Sequence, residues 1–133
     1  MLHSRTTDQP FDTVVDRLTE AVANHQFGVI ETIDLQKKMN AKGVPFDARC
    51  TILEVCNPKQ AQSVLEKNMS ISTALPCRIS VYEDRGSVVV ATALPTVLLG
   101  LYDDSDSMQA TAREVETALT EIIDETCEPE KSS

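Results

Sequence analysis

Tryptophan is absent from this sequence, and aromatic residues make up only 4% of its 133 positions. The interior must therefore be mainly aliphatic. Long apolar runs are missing as well, because the longest one, 94–101, is interrupted by Pro95, Thr96 and Gly100 and is too short to cross a bilayer. Residues 1–8 contain no apolar stretch of the kind found in signal peptides. We therefore expect a cytoplasmic protein with no membrane partner.

Motifs that hold phosphates, zinc or redox disulfides are also missing. The four glycines are isolated from one another, so no glycine-rich phosphate loop exists. The four cysteines show no C-x2-C spacing; they are Cys50, Cys56, Cys77 and Cys127. In a reducing compartment such cysteines are expected to be thiols rather than structural disulfides. No cofactor is predicted from these motifs.

Positive charge is scarce, and the negative charge is concentrated in one segment. The net charge is −9, and residues 103–133 account for most of it, with ten acids against Arg113 and Lys131. Binding to phosphates requires clustered lysine and arginine, so this balance argues against a nucleic-acid partner. The acidic segment is typical of a solvated helix face that keeps a protein soluble.

The composition, with 41% hydrophobic and 25% charged residues, is typical of one globular domain. Hydrophobic periodicity and turn residues predict the order β-α-β-α-β-α-β-β-α over residues 1–127. Residues 128–133 are predicted to be a flexible acidic tail. We expect an α+β fold, a mainly antiparallel sheet with helices packed on one face.

Three local signals support this order. Asn57-Pro58 is the N-cap and N1 pair of a helix that follows the strand 49–56. Asp84-Arg85-Gly86 predicts a hairpin turn between strands 77–83 and 87–93. Between that hairpin and a last helix at about 106–126 lies 94–102, an apolar connection that is either buried or covered by a partner. With Tyr102 at its end, it is interpreted as a dimer contact, or alternatively as part of a ligand cleft.

The sequence resembles one known family at several of these positions. The resemblance is carried by the motifs Leu53-Glu-Val-Cys-Asn-Pro58 and Leu75-Pro-Cys-Arg78, followed by Val81-Tyr-Glu83 and Gly86. The family is domain-of-unknown-function family 302. This resemblance implies a compact α+β fold with an antiparallel sheet, often found as a homodimer in bacteria and archaea. It implies no particular activity.

Cys56 and Cys77 are the candidate reactive residues. Cys56 precedes the Asn57 cap, so the positive end of the following helix dipole is expected to lower the pKa of its thiol. If the strands 50–56 and 77–83 are antiparallel neighbours, both cysteines fall at the same end of the sheet. The pair would then serve as a redox couple, a persulfide carrier or two ligands of a soft metal. The alternative is packing, since Cys77 shares one strand face with Ile79 and Val81.

The remaining candidates are weaker. The candidate ligand-binding residues are Glu54, Asn57, Arg78 and Tyr102, and His3 is a candidate third ligand for a metal held by Cys56 and Cys77. The sequence therefore leaves three hypotheses. The first is a homodimeric binding or accessory domain without catalytic activity. The second is a thiol-based redox or sulfur carrier that uses Cys56 with Cys77, and the third is a soft-metal protein.

Overall fold

A computed structural model describes residues 1–129 of the protein, and residues 130–133, part of the predicted acidic tail, lie outside the described residues. The five strands are β1 (Leu2–Thr7), β2 (Gly28–Asp34), β3 (Cys50–Cys56), β4 (Cys77–Asp84) and β5 (Ser87–Ala93). The helices are α1 (Phe11–Asn24), α2 (Leu35–Ala41), α3 (Pro58–Lys67), α4 (Pro95–Gly100) and α5 (Asp106–Cys127), and a 3-10 helix covers Met69–Ala74.

The strands form one antiparallel sheet in the spatial order β1-β5-β4-β3-β2. The predicted α+β class and the predicted order of strands and helices are confirmed. Two segments carry more structure than expected. The apolar connection contains the helix α4, which begins at Pro95, and the serine-rich loop after α3 is the 3-10 helix. Both elements have only six residues, too few for a helical period to show in the sequence.

The hairpin between β4 and β5 turns where the sequence predicts it. Arg85 and Gly86 have φ angles of 52° and 85°. Positive φ at both central residues is the geometry of a type I′ hairpin turn, and glycine adopts it without a steric penalty. The hairpin fixes the register of β4 against β5, with Val81 opposite Val90.

The main core lies between one face of the sheet and the helices α1 and α5. Apolar residues recur along both helices at helical spacing, and they meet alternate residues of β3, β4 and β5. The largest fully buried side chains of this core are Leu18, Leu53, Ile79, Leu119, Ile122 and Ile123.

A second, smaller cluster closes one end of the sheet. It joins α3, the 3-10 helix, α4 and the first half of α5 through Val64, Ile71, Leu99, Met108 and Ala112. We call these elements the end cap. Of these elements, α3 follows β3, the 3-10 helix precedes β4 and α4 follows β5. The end cap therefore sits at the end of the sheet where β3 finishes and β4 begins.

The acidic residues near the end of α5 contact basic side chains of β1 and the side chain of His25, which follows α1. Asp124 Oδ1 lies 2.9 Å from His3 Nε2 and 3.3 Å from Arg5 Nη1. Glu125 Oε2 lies 2.8 Å from His25 Nε2. Acids at a helix C-terminus are disfavoured by the dipole, and these contacts offset that cost. No helix of residues 1–129 is long and apolar enough to span a membrane.

The opposite face of the sheet, which we call the open face, does not belong to either cluster. Because antiparallel partners point to the same side, Ile52, Ser80 and Ala91 form one row across this face. Tyr82 and Val89 form the next row. Ala91 is only 7% exposed, although it packs in neither hydrophobic cluster. The open face is therefore mainly apolar at its centre, where Ser80 is the polar member of the row.

Candidate functional site

The candidate site lies at the end of the sheet that faces the end cap. β3 ends at Cys56, and Asn57 caps α3 because its Oδ1 accepts the backbone N–H groups of Lys59 and Gln60 at 3.1 and 3.2 Å. β4 begins at Cys77, opposite Val55 in the ladder. The predicted proximity of the two strand ends is therefore present, and Cys56 and Cys77 line the same cavity.

The two thiols differ in their surroundings. Cys77 belongs to the face of Ile79 and Val81 and packs against the main core, as its strand parity indicates. Burial raises the pKa of the Cys77 thiol from 9.0 to about 11, and the neighbouring Cys56 adds to the rise. Burial also raises the pKa of Cys56. This direction is opposite to the one expected from the helix dipole, and its cause is the desolvation of the thiolate.

The cavity beside these thiols, which we call the sheet-end cavity, has a volume of about 290 Å³. Strand ends form one wall and the end cap forms the other. Its apolar lining consists of Phe27, Ile30, Val55, Ala61, Val64, Leu65, Leu75, Pro76, Leu99 and Val115. Its polar lining consists of Cys56, Asn57, Gln60, Ser72 and Cys77. Within the described part of the chain, no charged residue lines this cavity.

Gln60 stands out among the lining residues. Its Oε1 is buried, and no donor among residues 1–129 lies within hydrogen-bond distance of it. Gln60 is the third residue of α3, where a glutamine commonly accepts the N-cap backbone N–H in a capping box. Here the Oε1 makes no such bond, so this buried acceptor is left without a partner among residues 1–129. Sequence reasoning missed Gln60, and the capping-box position was the only signal that pointed to it.

A second cavity, the open-face groove, lies on the other side of the segment 75–77. It has a volume of about 340 Å³ and extends over Ile52, Ser80, Tyr82 and Ala91. The residues that line both cavities are Leu75, Pro76, Cys77 and Leu99. One thin wall therefore separates the sheet-end cavity from the open face.

The other predicted site residues are distributed around these cavities. Arg78 lines the open-face groove, and its Nε lies 3.5 Å from Oε2 of Glu54, its partner across the ladder. The Glu54 side chain is only 15% exposed, and Arg78 is the basic residue that pairs with its carboxylate. The sequence alone did not identify this partner. Tyr102 lines neither groove nor cavity, and its hydroxyl lies 2.7 Å from Thr73 Oγ1.

The structure does not bring His3 to the cysteines. His3 is on the edge strand β1, separated from β3 by two strands, and it contacts Asp124. Across residues 1–129, no group of three or more His, Cys, Asp and Glu residues is arranged to hold a metal ion. A metal bound by Cys56 and Cys77 would therefore need ligands other than His3.

The fold defines a class of protein: a single five-stranded antiparallel sheet with two long helices on one face and a small helical cap at one end. A family model described as domain of unknown function DUF302 matches residues 3–126. The chain therefore belongs to this family, and the resemblance seen in its motifs is confirmed.

Solved structures contain a similar chain. It is an uncharacterized conserved DUF302 protein from Bacillus stearothermophilus, with a TM-score of 0.88 and 28% identity over 96% of this chain and 98% of that one. No curated protein matches the sequence.

Proposed function

We propose that this chain is a non-catalytic binding domain that acts as a homodimer and holds a small, mainly apolar molecule in the sheet-end cavity. The observation that carries this proposal is the cavity itself, about 290 Å³ with an apolar, uncharged lining. Small-molecule sites commonly combine an apolar wall with a few placed polar groups. A cytoplasmic location is part of the proposal, because it keeps the free cysteines reduced.

The competing hypothesis is a thiol carrier that uses Cys56 with Cys77. The shared cavity favours it, but the raised pKa of both thiols disfavours it, because the thiolate is the nucleophile. Alkylation of the native protein by iodoacetamide at pH 7 separates the two hypotheses. We expect both thiols to react more slowly than in urea-unfolded protein, and a faster reaction in the native state would establish the carrier instead.

The homodimer is proposed to form through the open face. Its centre is mainly apolar, with Ile52, Ala91 and Tyr82 around Ser80, and Leu2 at its rim is 63% exposed. The acidic helix α5 packs on the opposite face of the sheet. Two copies that meet through their open faces therefore keep their most negative surfaces apart, and an isologous contact needs only this one patch.

The ligand proposal is tested with naphthalene, whose fluorescence is easily followed in a protein without tryptophan. The variant Ala61→Phe places a ring into the sheet-end cavity, and the matched variant Ala110→Phe adds the same ring at an exposed position of α5. We expect saturable binding that Ala61→Phe weakens at least tenfold and Ala110→Phe leaves unchanged. Equal affinities in all three proteins, or no binding at all, would contradict the proposal.

The dimer proposal is tested by light scattering after size exclusion. The unmodified chain should have about twice the 14.6 kDa mass of one copy. Ala91→Arg places a charge at the centre of the open face and should give a monomer, while Ala110→Arg should remain a dimer. Circular dichroism checks that both variants are folded. A monomeric parent protein, or a dimer that survives Ala91→Arg, would contradict this part of the proposal.

A further inference from the structure

We infer that the sheet-end cavity accepts uncharged molecules only, and that Asn57 is the residue that makes it reject anions. This inference rests on the proposed function and deepens it, because it names the class of ligand that the cavity takes. The observation behind it is the first turn of α3, which borders the cavity. Asn57, the N-cap of this helix, and Ala61, one turn later, both line the cavity.

The start of a helix commonly attracts anions, because its first N–H groups have no partner within the helix. In α3 these donors are already engaged. Pro58 has no N–H, and the backbone O of Asn57 accepts the N–H of Ala61 at 2.9 Å. Asn57 Oδ1 accepts the N–H groups of Lys59 and Gln60 at 3.1 and 3.2 Å. The cap therefore takes the donors that an anion in the cavity would need.

The side chains of the lining supply no ionic partner either. Among the described residues, no lysine, arginine, aspartate or glutamate lines the cavity, and Lys59, which belongs to the same turn, is exposed and lies outside the lining. Cys56 and Cys77 are neutral at pH 7, because burial raises the pKa of both thiols. An ion would lose part of its water in the cavity without gaining a partner, which is strongly unfavourable. An uncharged molecule with an apolar body avoids this cost.

The test uses three probes with one ring system and different charges: neutral 2-methylnaphthalene, the anion 2-naphthoate and the cation 2-naphthylmethylammonium. The variant Asn57→Gly keeps the helix start, since glycine is tolerated at an N-cap, and releases the N–H groups of Lys59 and Gln60. The matched control Asn68→Gly makes the same change at the N-cap of the 3-10 helix, outside the lining. Dissociation constants are measured by probe fluorescence at pH 7, and circular dichroism checks the fold of each variant.

We expect the parent protein to bind 2-methylnaphthalene at least about 100-fold more tightly than either ion. Asn57→Gly should tighten 2-naphthoate about tenfold, because two N–H groups become available to its carboxylate, and should leave the other two probes unchanged. The amide resonances of Lys59 and Gln60 should shift with 2-naphthoate in this variant and not in the parent protein. Asn68→Gly should change none of the three constants. Asn57→Asp keeps a capping oxygen, so it should not gain affinity for 2-naphthoate.

Three results would overturn the inference while the binding domain stands. The first is a parent protein that binds 2-naphthoate as tightly as 2-methylnaphthalene. The second is no gain for 2-naphthoate in Asn57→Gly, and the third is an equal gain in Asn68→Gly or Asn57→Asp. If 2-methylnaphthalene does not bind the parent protein, the proposed function itself is overturned.

Discussion

The main core and the end cap both contain fully buried side chains, but they differ in the elements that form them and in the cavities beside them. In the main core, Leu18, Leu53 and Ile122 are fully buried between the sheet and two long helices. The end cap consists of short elements, and both the sheet-end cavity and the open-face groove border it. Long helices with a regular apolar stripe fill the space beside a sheet, whereas elements of six to ten residues leave gaps. The candidate site therefore lies where the two cores meet.

The largest expected effect is a cavity in the main core. Leu119 is 1% exposed at the centre of α5, and Leu119→Ala removes apolar contacts that no neighbour can replace. We expect the free energy of unfolding to fall by about 3 to 5 kcal/mol in urea denaturation. A loss below about 2 kcal/mol would mean that the main core relaxes as easily as the end cap, and the contrast between them would fail.

The matching change in the end cap should cost less. Leu99 is 3% exposed and lines both the sheet-end cavity and the open-face groove. Its side chain already lacks contacts on those sides, so Leu99→Ala should lower the free energy of unfolding by about 2 to 3 kcal/mol. The same urea titration gives the value, and a cost equal to that of Leu119→Ala would show that the cap is packed as tightly as the main core.

Cys77 lies where the two cores meet, and its thiol is expected to make the free energy of unfolding depend on pH. Its thiol has a pKa of about 11 in the folded protein against 9.0 in the unfolded chain. Between pH 9 and pH 11 the unfolded thiol ionises and the folded one does not, so stability is retained below pH 9 and falls as the pH rises through this window. The loss should be roughly 2 to 3 kcal/mol.

The control for this titration is Cys77→Val, which keeps an apolar side chain of similar size and removes the proton. The free energy of unfolding of both proteins is measured from pH 8 to pH 11. It should fall less in Cys77→Val than in the parent protein, and the difference is the contribution of the Cys77 thiol. Parallel pH curves for the two proteins would refute a raised pKa at this position.

The smallest expected change in stability concerns the exposed contacts between the end of α5 and β1. Asp124→Asn removes the carboxylate that contacts His3 and Arg5 and so joins β1 to α5. Asp124 is 37% exposed, so the free energy of unfolding should fall by only about 0.5 to 1 kcal/mol at low salt. Asp16→Asn, on an exposed position of α1, is the control that should have no effect. A loss well above about 1 kcal/mol would show that these contacts hold β1 to α5 more strongly than exposed ion pairs usually do.

Regular elements of this fold were predictable from the sequence, because each has a local cause. The Asn57-Pro58 cap, the Gly86 turn and the stripe of α5 follow from residues close in the chain. The strand alternation also placed Cys77 toward the core. The cavity was not predictable, since it depends on how α3 and the 3-10 helix rest against α5, which no local pattern encodes. The pKa direction at Cys56 was wrong for the same reason, because burial is set by those distant neighbours.

The pairing of β1 with β5 has a consequence for how the chain is made. Leu2 lies opposite Ala93 and Thr7 opposite Val88, so β1 leaves the ribosome well before β5, its ladder partner. At typical synthesis rates, roughly 5 to 20 seconds separate the two strands. During this interval the hydrogen-bonding groups of β1 are open to other chains, and its polar residues, with Arg5 and Thr6 exposed, make it a poor template for aggregation.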